Sequence, residues 1–272
     1  MTDLSNVDLS KLRPVAQNLR FSTLRTIMAL ILREMSSTYG RSPGGYIWVI
    51  LEPVGGVLLL SLIFSLGFRS PALGSNFAIY YATGLLPFSM TLTVSSKVQQ
   101  SLGYSKQLLG YPRVTILDAM LARFFLNTLT QILTSMIVLI AILSIWDTGT
   151  ILDLPPIVLG YSMGMALAMG LGTLNCYLIA RLALWRTVWA LITRPLVLIS
   201  GVIFLHEGMP EPYKSWIEWN PFLHVVGEVR HGFYFGYDAS YVDPVYVFSV
   251  AGMCWLVGFT LLRRYHRDLL ER

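Results

Sequence analysis

Charged residues are scarce in this chain. Asp, Glu, Lys and Arg make up only 13% of the 272 residues, whereas hydrophobic residues make up 54%. A soluble domain carries about a quarter charged residues. The composition therefore excludes an ordinary soluble domain and indicates an integral membrane protein. The two cysteines, Cys176 and Cys254, both fall in apolar stretches, which favours small packed side chains over a disulfide or a metal pair.

Sequence motifs for nucleotide, metal and covalent chemistry are also missing. No Gly-x-x-x-x-Gly-Lys-Ser/Thr occurs, so the chain does not bind ATP through a P-loop. No His-Glu-x-x-His, serine nucleophile elbow or cysteine cluster occurs, and the four scattered histidines match no metal-ligand spacing. We expect no metal, cofactor or catalytic residues in this chain, which leaves a membrane-embedded enzyme unsupported.

The sequence contains six long apolar stretches. Most reach the roughly 20 residues that an α-helix needs to cross the bilayer core, and the fifth is too short to cross alone. They predict an all-α polytopic membrane protein of six transmembrane helices over residues 46–262, after a cytoplasmic arm (1–45) and before a basic tail (263–272). The six stretches are Tyr46–Phe68, Phe77–Ser95, Leu117–Ile145, Ile157–Ile179, Pro195–Leu205 and Val245–Leu262.

Positive charge is confined almost entirely to one side of these stretches. Seventeen of the twenty Lys and Arg fall in the arm, in the tail, between the second stretch and the start of the third, or after the fourth stretch. The exceptions are Arg69, Lys214 and Arg230. Lys and Arg accumulate on the cytoplasmic side of membrane proteins. Both termini are therefore predicted to be cytoplasmic, with an even number of crossings. Because the excess follows this rule, the pI of about 9.2 does not indicate nucleic-acid binding.

The arm contains a basic amphipathic segment, Asn18–Ser37. Its apolar side chains recur at helical spacing, with Arg25 and Arg33 on the opposite face. This pattern is typical of a helix lying in the cytoplasmic membrane interface; the alternative is a cytosolic helix packed on a partner. Arg123, near the start of the third stretch, is expected to pair with Asp118 or with neighbours.

A carboxylate and a proline, Glu52-Pro53, lie inside the first stretch. A carboxylate at that depth costs a few kcal/mol unless it is paired or wet. Two interpretations stay open: Glu52 pairs with a cytoplasmic arginine or caps a broken helix, or it lines a transport path.

The fourth stretch carries small residues at spacing four, Gly160, Gly164, Ala168 and Gly172. Such stripes let helices approach closely, either within the chain or across a dimer. After the fifth stretch, Pro and Gly are dense. We expect a re-entrant element at the outer mouth, rather than a tight loop over a shortened helix, because irregular backbone at membrane depth survives only where protein or water covers it.

Several local patterns, in order, resemble one family. Together they are similar to the membrane subunit of type 2 ABC exporters of polysaccharide, above all the capsule-export permeases of the KpsM kind. The patterns are Leu32-Arg33-Glu34-Met35, Tyr39-Gly40-Arg41, Gly45-Tyr46-Ile47-Trp48-Val49-Ile50-Leu51-Glu52-Pro53, Gly84-Leu85-Leu86-Pro87-Phe88, Tyr111-Pro112-Arg113, Ser200-Gly201-Val202-Ile203-Phe204, Trp219-Asn220-Pro221-Phe222-Leu223-His224-Val225-Val226 and Glu228-Val229-Arg230.

The resemblance implies a transport subunit of the bacterial inner membrane rather than an enzyme. It implies a homodimer bound to two cytoplasmic ABC ATPase subunits, which would hold ATP and Mg²⁺, together with periplasmic and outer-membrane partners. The cargo would be an acidic, lipid-linked polysaccharide. Rival readings are a permease for O-antigen, teichoic acid or small drugs, and a polytopic glycan-modifying enzyme.

Site residues follow from this reading. Three groups are expected, and for each single aromatic the alternative is interface or core packing. The substrate path would use Arg25, Arg33, Arg123, Glu52, Trp48, Tyr80, Tyr81 and Phe88. Coupling to the ATPase would use Lys106, Tyr111, Arg113 and Arg186, from the basic segments Gln99–Arg113 and Arg181–Arg194. The outer gate would use Ser200, Gly201, Phe204, Asn220 and Pro221.

Overall fold

Helices account for almost all regular structure in the computed structural model, which describes residues 22–39, 45–105 and 114–271. Within these ranges there are ten α-helices, one short 3-10 turn (His206–Gly208) and no strand. The helices are α1 (Ser22–Tyr39), α2 (Gly45–Gly67), α3 (Phe77–Gln99), α4 (Ser101–Ser105), α5 (Ile116–Ile145), α6 (Leu154–Arg181), α7 (Trp185–Ile199), α8 (Tyr213–Ile217), α9 (Pro221–Phe233) and α10 (Pro244–Glu271).

Five of the described helices, α2, α3, α5, α6 and α10, are long and apolar enough to cross a membrane. They coincide with five of the six predicted stretches to within a few residues, apart from longer ends on α3 and α10. The all-α polytopic class is therefore confirmed. The predicted stretch Pro195–Leu205 is not one helix, because α7 ends at Ile199 and the chain turns at Ser200 and Gly201.

Polar residues fix where these helices begin. The Asn76 side chain accepts a hydrogen bond from the Ala78 N–H at 2.8 Å and starts α3. Thr115 and Asp118 form a capping box at the start of α5, in which each side chain accepts from the other residue's backbone N–H. Asp118 is thus used as a cap and not as the partner of Arg123.

Helix α6 lies at the centre of the bundle, against α3, α9 and α10, and its small residues are the contact surface. A Cβ on Gly160 would lie 2.6 Å from Val229 Cγ2, and one on Gly164 would lie 2.7 Å from Thr91 Oγ1. Gly172 meets Val98 in the same way. The stripe therefore serves packing within the chain, which settles the alternative left open by the sequence.

The same contacts fix the directions of the helices. Gly164 and Gly172 of α6 meet Thr91 and Val98 of α3, so these two helices run parallel. Gly170 and Leu174 of α6 meet Ala251 and Gly258 of α10, so α6 and α10 also run parallel. Residues 182–243 must consequently carry the chain back from the end of α6 to the level at which α10 starts.

The returning segment is built differently from the other helices. None of the fifteen residues of α7 is buried, whereas ten of the thirteen residues of α9 are. Helix α9 runs antiparallel to α6, since Val225 meets Gly164 and Val229 meets Gly160. Between them, Gly201 adopts φ +73°, a left-handed conformation that favours glycine and lets the chain turn after α7.

Candidate functional site

A buried ionic cluster joins the arm to the bundle. Arg123 Nε of α5 lies 3.1 Å from Glu34 Oε1 and 3.2 Å from Glu34 Oε2 of α1, with both side chains about 95% buried. A second guanidinium nitrogen of Arg123 donates to the Lys97 carbonyl at 3.0 Å, near the end of α3. The guanidinium also lies 4.1 Å from the centroid of the Tyr104 ring. We call Glu34, Arg123, Tyr104 and the Lys97 carbonyl the arm cluster.

The three arginines expected on the substrate path lie in different environments. Arg25 and Arg33 are exposed on α1, whereas Arg123 is 5% exposed and paired. Arg33 is the closer of the two to the cluster, with its guanidinium 5.6 Å from the Tyr104 ring centroid. The structure thus brings Arg33 and Arg123 to one aromatic ring and gives Arg123 a carboxylate partner.

Helix α2 presents its predicted path residues outwards. Glu52 is exposed and Trp48 is 63% exposed, on a helix that continues through Pro53 without a break. The interpretation of Glu52 as the cap of a broken helix is therefore wrong. A carboxylate on an apolar outward face needs a partner or water if it lies at membrane depth.

The three aromatic path residues of α3 are buried inside the protein. Tyr80 and Tyr81 are 1% and 2% exposed, and their rings meet edge to face with centroids 5.0 Å apart. Phe88 is also buried and packs on Phe222 of α9, with centroids 5.6 Å apart. These side chains do not lie beside Glu52 and Trp48 on one surface of the described chain.

Arg230 of α9 holds the turn that follows α7. It is 1% exposed and donates to the carbonyls of Gly201 and Val202, the latter at 2.9 Å. Its guanidinium lies 4.3 Å from the Tyr80 ring centroid, and the Tyr80 hydroxyl donates to the Ile203 carbonyl at 3.1 Å. A guanidinium is suited to this position because it offers several donors in a fixed plane and stacks on aromatic rings.

Four of the five predicted gate residues come together at this turn. Asn220 Nδ2 donates to the Ile199 carbonyl at 3.1 Å and to Ser200 Oγ at 2.9 Å, while Asn220 Oδ1 accepts from the Phe222 N–H and caps α9. Pro221 occupies the first position of that helix and Gly201 follows Ser200 in the chain. Phe204 instead is 49% exposed and lines a cavity near the end of α2. We call residues 200–220 the outer segment.

Titratable side chains tie the outer segment to the start of α10. His206 Nε2 lies 3.0 Å from Glu218 Oε1, a contact that is not aligned as a hydrogen bond. The His224 ring contacts the Glu218 carbonyl at 2.7 Å through Nε2 and accepts from the Asp243 N–H at 3.0 Å through Nδ1. Because Nδ1 accepts a hydrogen bond, it carries no proton, and the neutral imidazole links the end of the outer segment to the residue before α10.

The predicted coupling surface is described only in part. Lys106, Tyr111 and Arg113 lie outside the described residues. Arg186 is exposed in the first turn of α7, and the short helix α4 occupies part of the loop that the sequence assigns to a soluble partner. Within the described residues, no three His, Cys, Asp or Glu side chains are grouped as metal ligands.

Two structurally central residues, Glu34 and Arg230, are absent from the predicted site residues. Glu34 sits beside Arg33 on an arm helix whose polar face was expected to be basic. Arg230 does carry a signal, because it is one of the three Lys and Arg residues that depart from the charge pattern of the other seventeen. A buried guanidinium needs several acceptors, so a cation at an exceptional position indicates a fixed set of partners.

Known proteins match over most of the chain. The model of the ABC-2 type transporter family matches residues 25–234. The chain is 27% identical over 248 residues to the polysialic acid transport protein KpsM of Escherichia coli, covering 90% of this chain and 95% of that protein. It is 23% identical over 245 residues to the capsule polysaccharide export inner-membrane protein CtrC of Neisseria meningitidis serogroup A, covering 90% and 92%. The capsule polysaccharide export inner-membrane protein BexB of Haemophilus influenzae is 22% identical over 246 residues, covering 90% and 92%.

Proposed function

This chain belongs to the ABC-2 type transporter family, and from that membership we propose that it is the permease subunit of an exporter of capsular polysaccharide in the bacterial inner membrane. The observation that carries the proposal is similarity over 90% of the chain to proteins named for capsule export or polysialic acid transport. The five apolar helices supply the multi-pass body that such a subunit needs.

The charge distribution supports an orientation with both termini in the cytoplasm. With α6 and α10 parallel, an even number of crossings requires α7 and the first residues of the outer segment to make one passage. The fifteen residues of α7 span about 22 Å, less than the roughly 30 Å of a bilayer core. The outer segment and α9 would complete that passage as the re-entrant element expected from the sequence.

Energy for transport would come from a separate ATPase, because this chain has no P-loop. Two copies of a cytoplasmic ABC ATPase would contact the segments that hold Lys106, Tyr111 and Arg113 and the start of α7 at Arg186. In the sequence, both segments belong to the gaps in which Lys and Arg accumulate.

A second copy of the chain would complete the membrane unit. Helix α7 has no buried residue, and α2 turns Glu52 outwards. Lipid on every side of Glu52 would cost a few kcal/mol, whereas a wet path between two copies would leave the carboxylate hydrated. We place the path of the glycan at this homodimer interface.

The cargo is proposed to be an acidic, lipid-linked glycan. Arg25 and Arg33 remain exposed on α1, where attraction near a membrane surface is worth about 1 kcal/mol per basic residue. On the opposite side, the outer segment would pass the glycan to periplasmic and outer-membrane export proteins.

The test combines cross-linking with transport. In a chain with Cys176 and Cys254 replaced by alanine, Arg186→Cys should cross-link to the cognate ATPase, and Phe235→Cys, which is 88% exposed in the turn after α9, should not. Membrane vesicles that contain both subunits should then translocate the cognate glycan with ATP. Cross-linking from Phe235 alone, or ATP-dependent transport of small drugs but no glycan, would overturn the proposal.

A further inference from the structure

Two exposed charges of opposite sign stand on apolar helices. Glu52 follows the start of α2 by seven residues, and Arg194 follows the start of α7 by nine. Neither side chain forms an ion pair or a side-chain hydrogen bond within the described part of the chain. A charge on an apolar helix in a membrane is costly unless it is paired or hydrated. Both side chains are therefore open to a partner from outside this chain.

Contacts of α3 place the two charges at similar levels along the bundle. The Leu85 side chain would lie 2.9 Å from a Cβ on Gly56 of α2, and a Cβ on the glycine before Leu85 would lie 3.2 Å from the Cα of Val202, which follows α7. Gly56 and Val202 are thus at about the same level. Glu52 precedes Gly56 by four residues and Arg194 precedes Val202 by eight. At 1.5 Å per residue, the two charged residues differ in level by about 6 Å, the rise between residues i and i+4 of one helix.

Helices α2 and α7 also run in the same direction. Trp185 Nε1 donates to Asn175 Oδ1 at 2.7 Å, which holds the start of α7 beside the last turns of α6. From there α7 leads back towards the level at which α6 begins, as α2 does beside α3. The other cation of α7, Arg186, lies eight residues before Arg194 and therefore about 18 Å from the level of Glu52. Arg194 is thus the cation of α7 that matches Glu52.

The symmetry of a dimer would bring these charges together. Because α2 and the residue after α7 contact adjacent residues of α3, both helices lie towards one side of the bundle. In the homodimer proposed above, a twofold axis along the membrane normal keeps every residue at its level and joins the same side of both copies. Helix α2 of one copy can then face α7 of the other, and symmetry repeats that contact.

We propose that Glu52 of each copy forms an ion pair with Arg194 of the other copy, so that two such pairs hold α2 against α7 across the interface. Water that enters the path between the copies can still reach the pairs, which keeps both charges at a low cost. The inference rests on the proposed homodimer and does not depend on which cargo the protein exports.

The test mixes two charge reversals in the full chain. Copies with Glu52→Arg and copies with Arg194→Glu carry different affinity tags, are expressed alone or together, and are measured for dimer formation by native mass spectrometry in mild detergent. Either reversal alone places like charges in both pairs and should weaken dimerisation at least about threefold to tenfold for each pair. The mixed dimer has opposite charges in both pairs and should form as well as the wild type. Mixing could not restore an ion pair that lies within one copy.

Controls separate the pair from the dimer itself. The matched control replaces Arg194→Glu by Arg186→Glu on the same helix, and mixing it with Glu52→Arg should restore no more than mixing Glu52→Arg with wild type does. Differently tagged wild-type copies that do not associate would overturn the homodimer and this inference with it. If wild-type copies associate but neither reversal weakens the dimer, or the mixture is no better than each reversal mixed with wild type, the homodimer stands and the pair is refuted. Lipid phosphate and water would then satisfy the two charges.

Neutral variants keep the test decisive if a reversed charge prevents insertion. Glu52→Gln and Arg194→Gln should each weaken dimerisation, and the double variant should weaken it little more than either single change, because the pair is already lost in each. Effects of the two changes that multiply in the double variant would show that the side chains act independently, and would refute the pair.

Discussion

The arm cluster offers the sharpest test of how the N-terminal helix is held. We consider three variants: Glu34→Gln, Arg123→Gln and the two together. Each single change leaves the other charge in an environment that is about 95% buried. The double variant removes both charges and keeps amide groups of similar shape that can hydrogen-bond to each other.

The structure sets the magnitude. Removing one partner from a buried ion pair costs about 3–5 kcal/mol, because the remaining buried charge loses the attraction of that partner. Arg123→Gln also loses the 3.0 Å hydrogen bond to the Lys97 carbonyl and the stacking on Tyr104. We expect it to be the more damaging single change. The double variant should cost less than the sum of the two, with a coupling energy of about 1–3 kcal/mol between contacting residues.

The assay is reversible unfolding in mixed micelles, followed by circular dichroism, for the wild type and the three variants. Arg33→Gln serves as the control, since Arg33 is exposed and its guanidinium lies 5.6 Å from the Tyr104 ring centroid. It should change the free energy of unfolding by about 1 kcal/mol or less. Additive single changes, or a cost of Arg123→Gln no larger than that of Arg33→Gln, would show that the buried pair does not stabilise the chain.

Three further predictions concern the bundle and the outer segment. Arg230→Lys should expose residues 200–220 to protease added to right-side-out vesicles, because one ammonium cannot reproduce the planar contacts with the Gly201 and Val202 carbonyls and the Tyr80 ring. Protection equal to that of wild type would contradict this role. Gly164→Ala should lower the free energy of unfolding by about 1–3 kcal/mol through overpacking, since the added Cβ would lie 2.7 Å from Thr91 Oγ1. The control Gly55→Ala, whose Cβ would have nothing within 4 Å, should not lower it. Equal free energies of unfolding for the two variants would disprove the close contact. Protonation of His224 at Nδ1 would break the hydrogen bond that this atom accepts from the Asp243 N–H, so wild type should lose more stability than His224→Gln as the pH falls. Parallel pH profiles of the two proteins would argue against this role.

Features with a local physical cause were predictable from the sequence. Apolar length located α2, α3, α5, α6 and α10, since the bilayer core dictates helix length. The spacing of Gly160, Gly164 and Gly172 predicted close helix packing, and the structure adds that α3 and α9 are the partners. Density of Pro and Gly marked the outer segment as irregular, as the turn at Gly201 confirms.

Features that depend on distant contacts were not predictable in the same way. Glu34 and Arg123 are 89 residues apart, and the sequence around either residue does not indicate the other as its partner. Asp118 is nearer in sequence and an equally plausible partner for Arg123, but its side chain caps the start of α5. The stretch Pro195–Leu205 was expected to be one apolar unit, yet Asn220 and Arg230 fix its end as a turn by binding the carbonyls that a continuing helix would use.

The environments of the two buried arginines limit which arginines could bind a negatively charged cargo. Arg123 is neutralised by Glu34, and Arg230 is surrounded by carbonyls and a ring, so each is committed to holding the fold. Removing either from its acceptors to bind a substrate would leave buried groups unpaired, which costs more than a surface attraction of about 1 kcal/mol returns. Of the three arginines expected on the substrate path, Arg25 and Arg33 are therefore the two that we propose for cargo binding, because their side chains are exposed on α1.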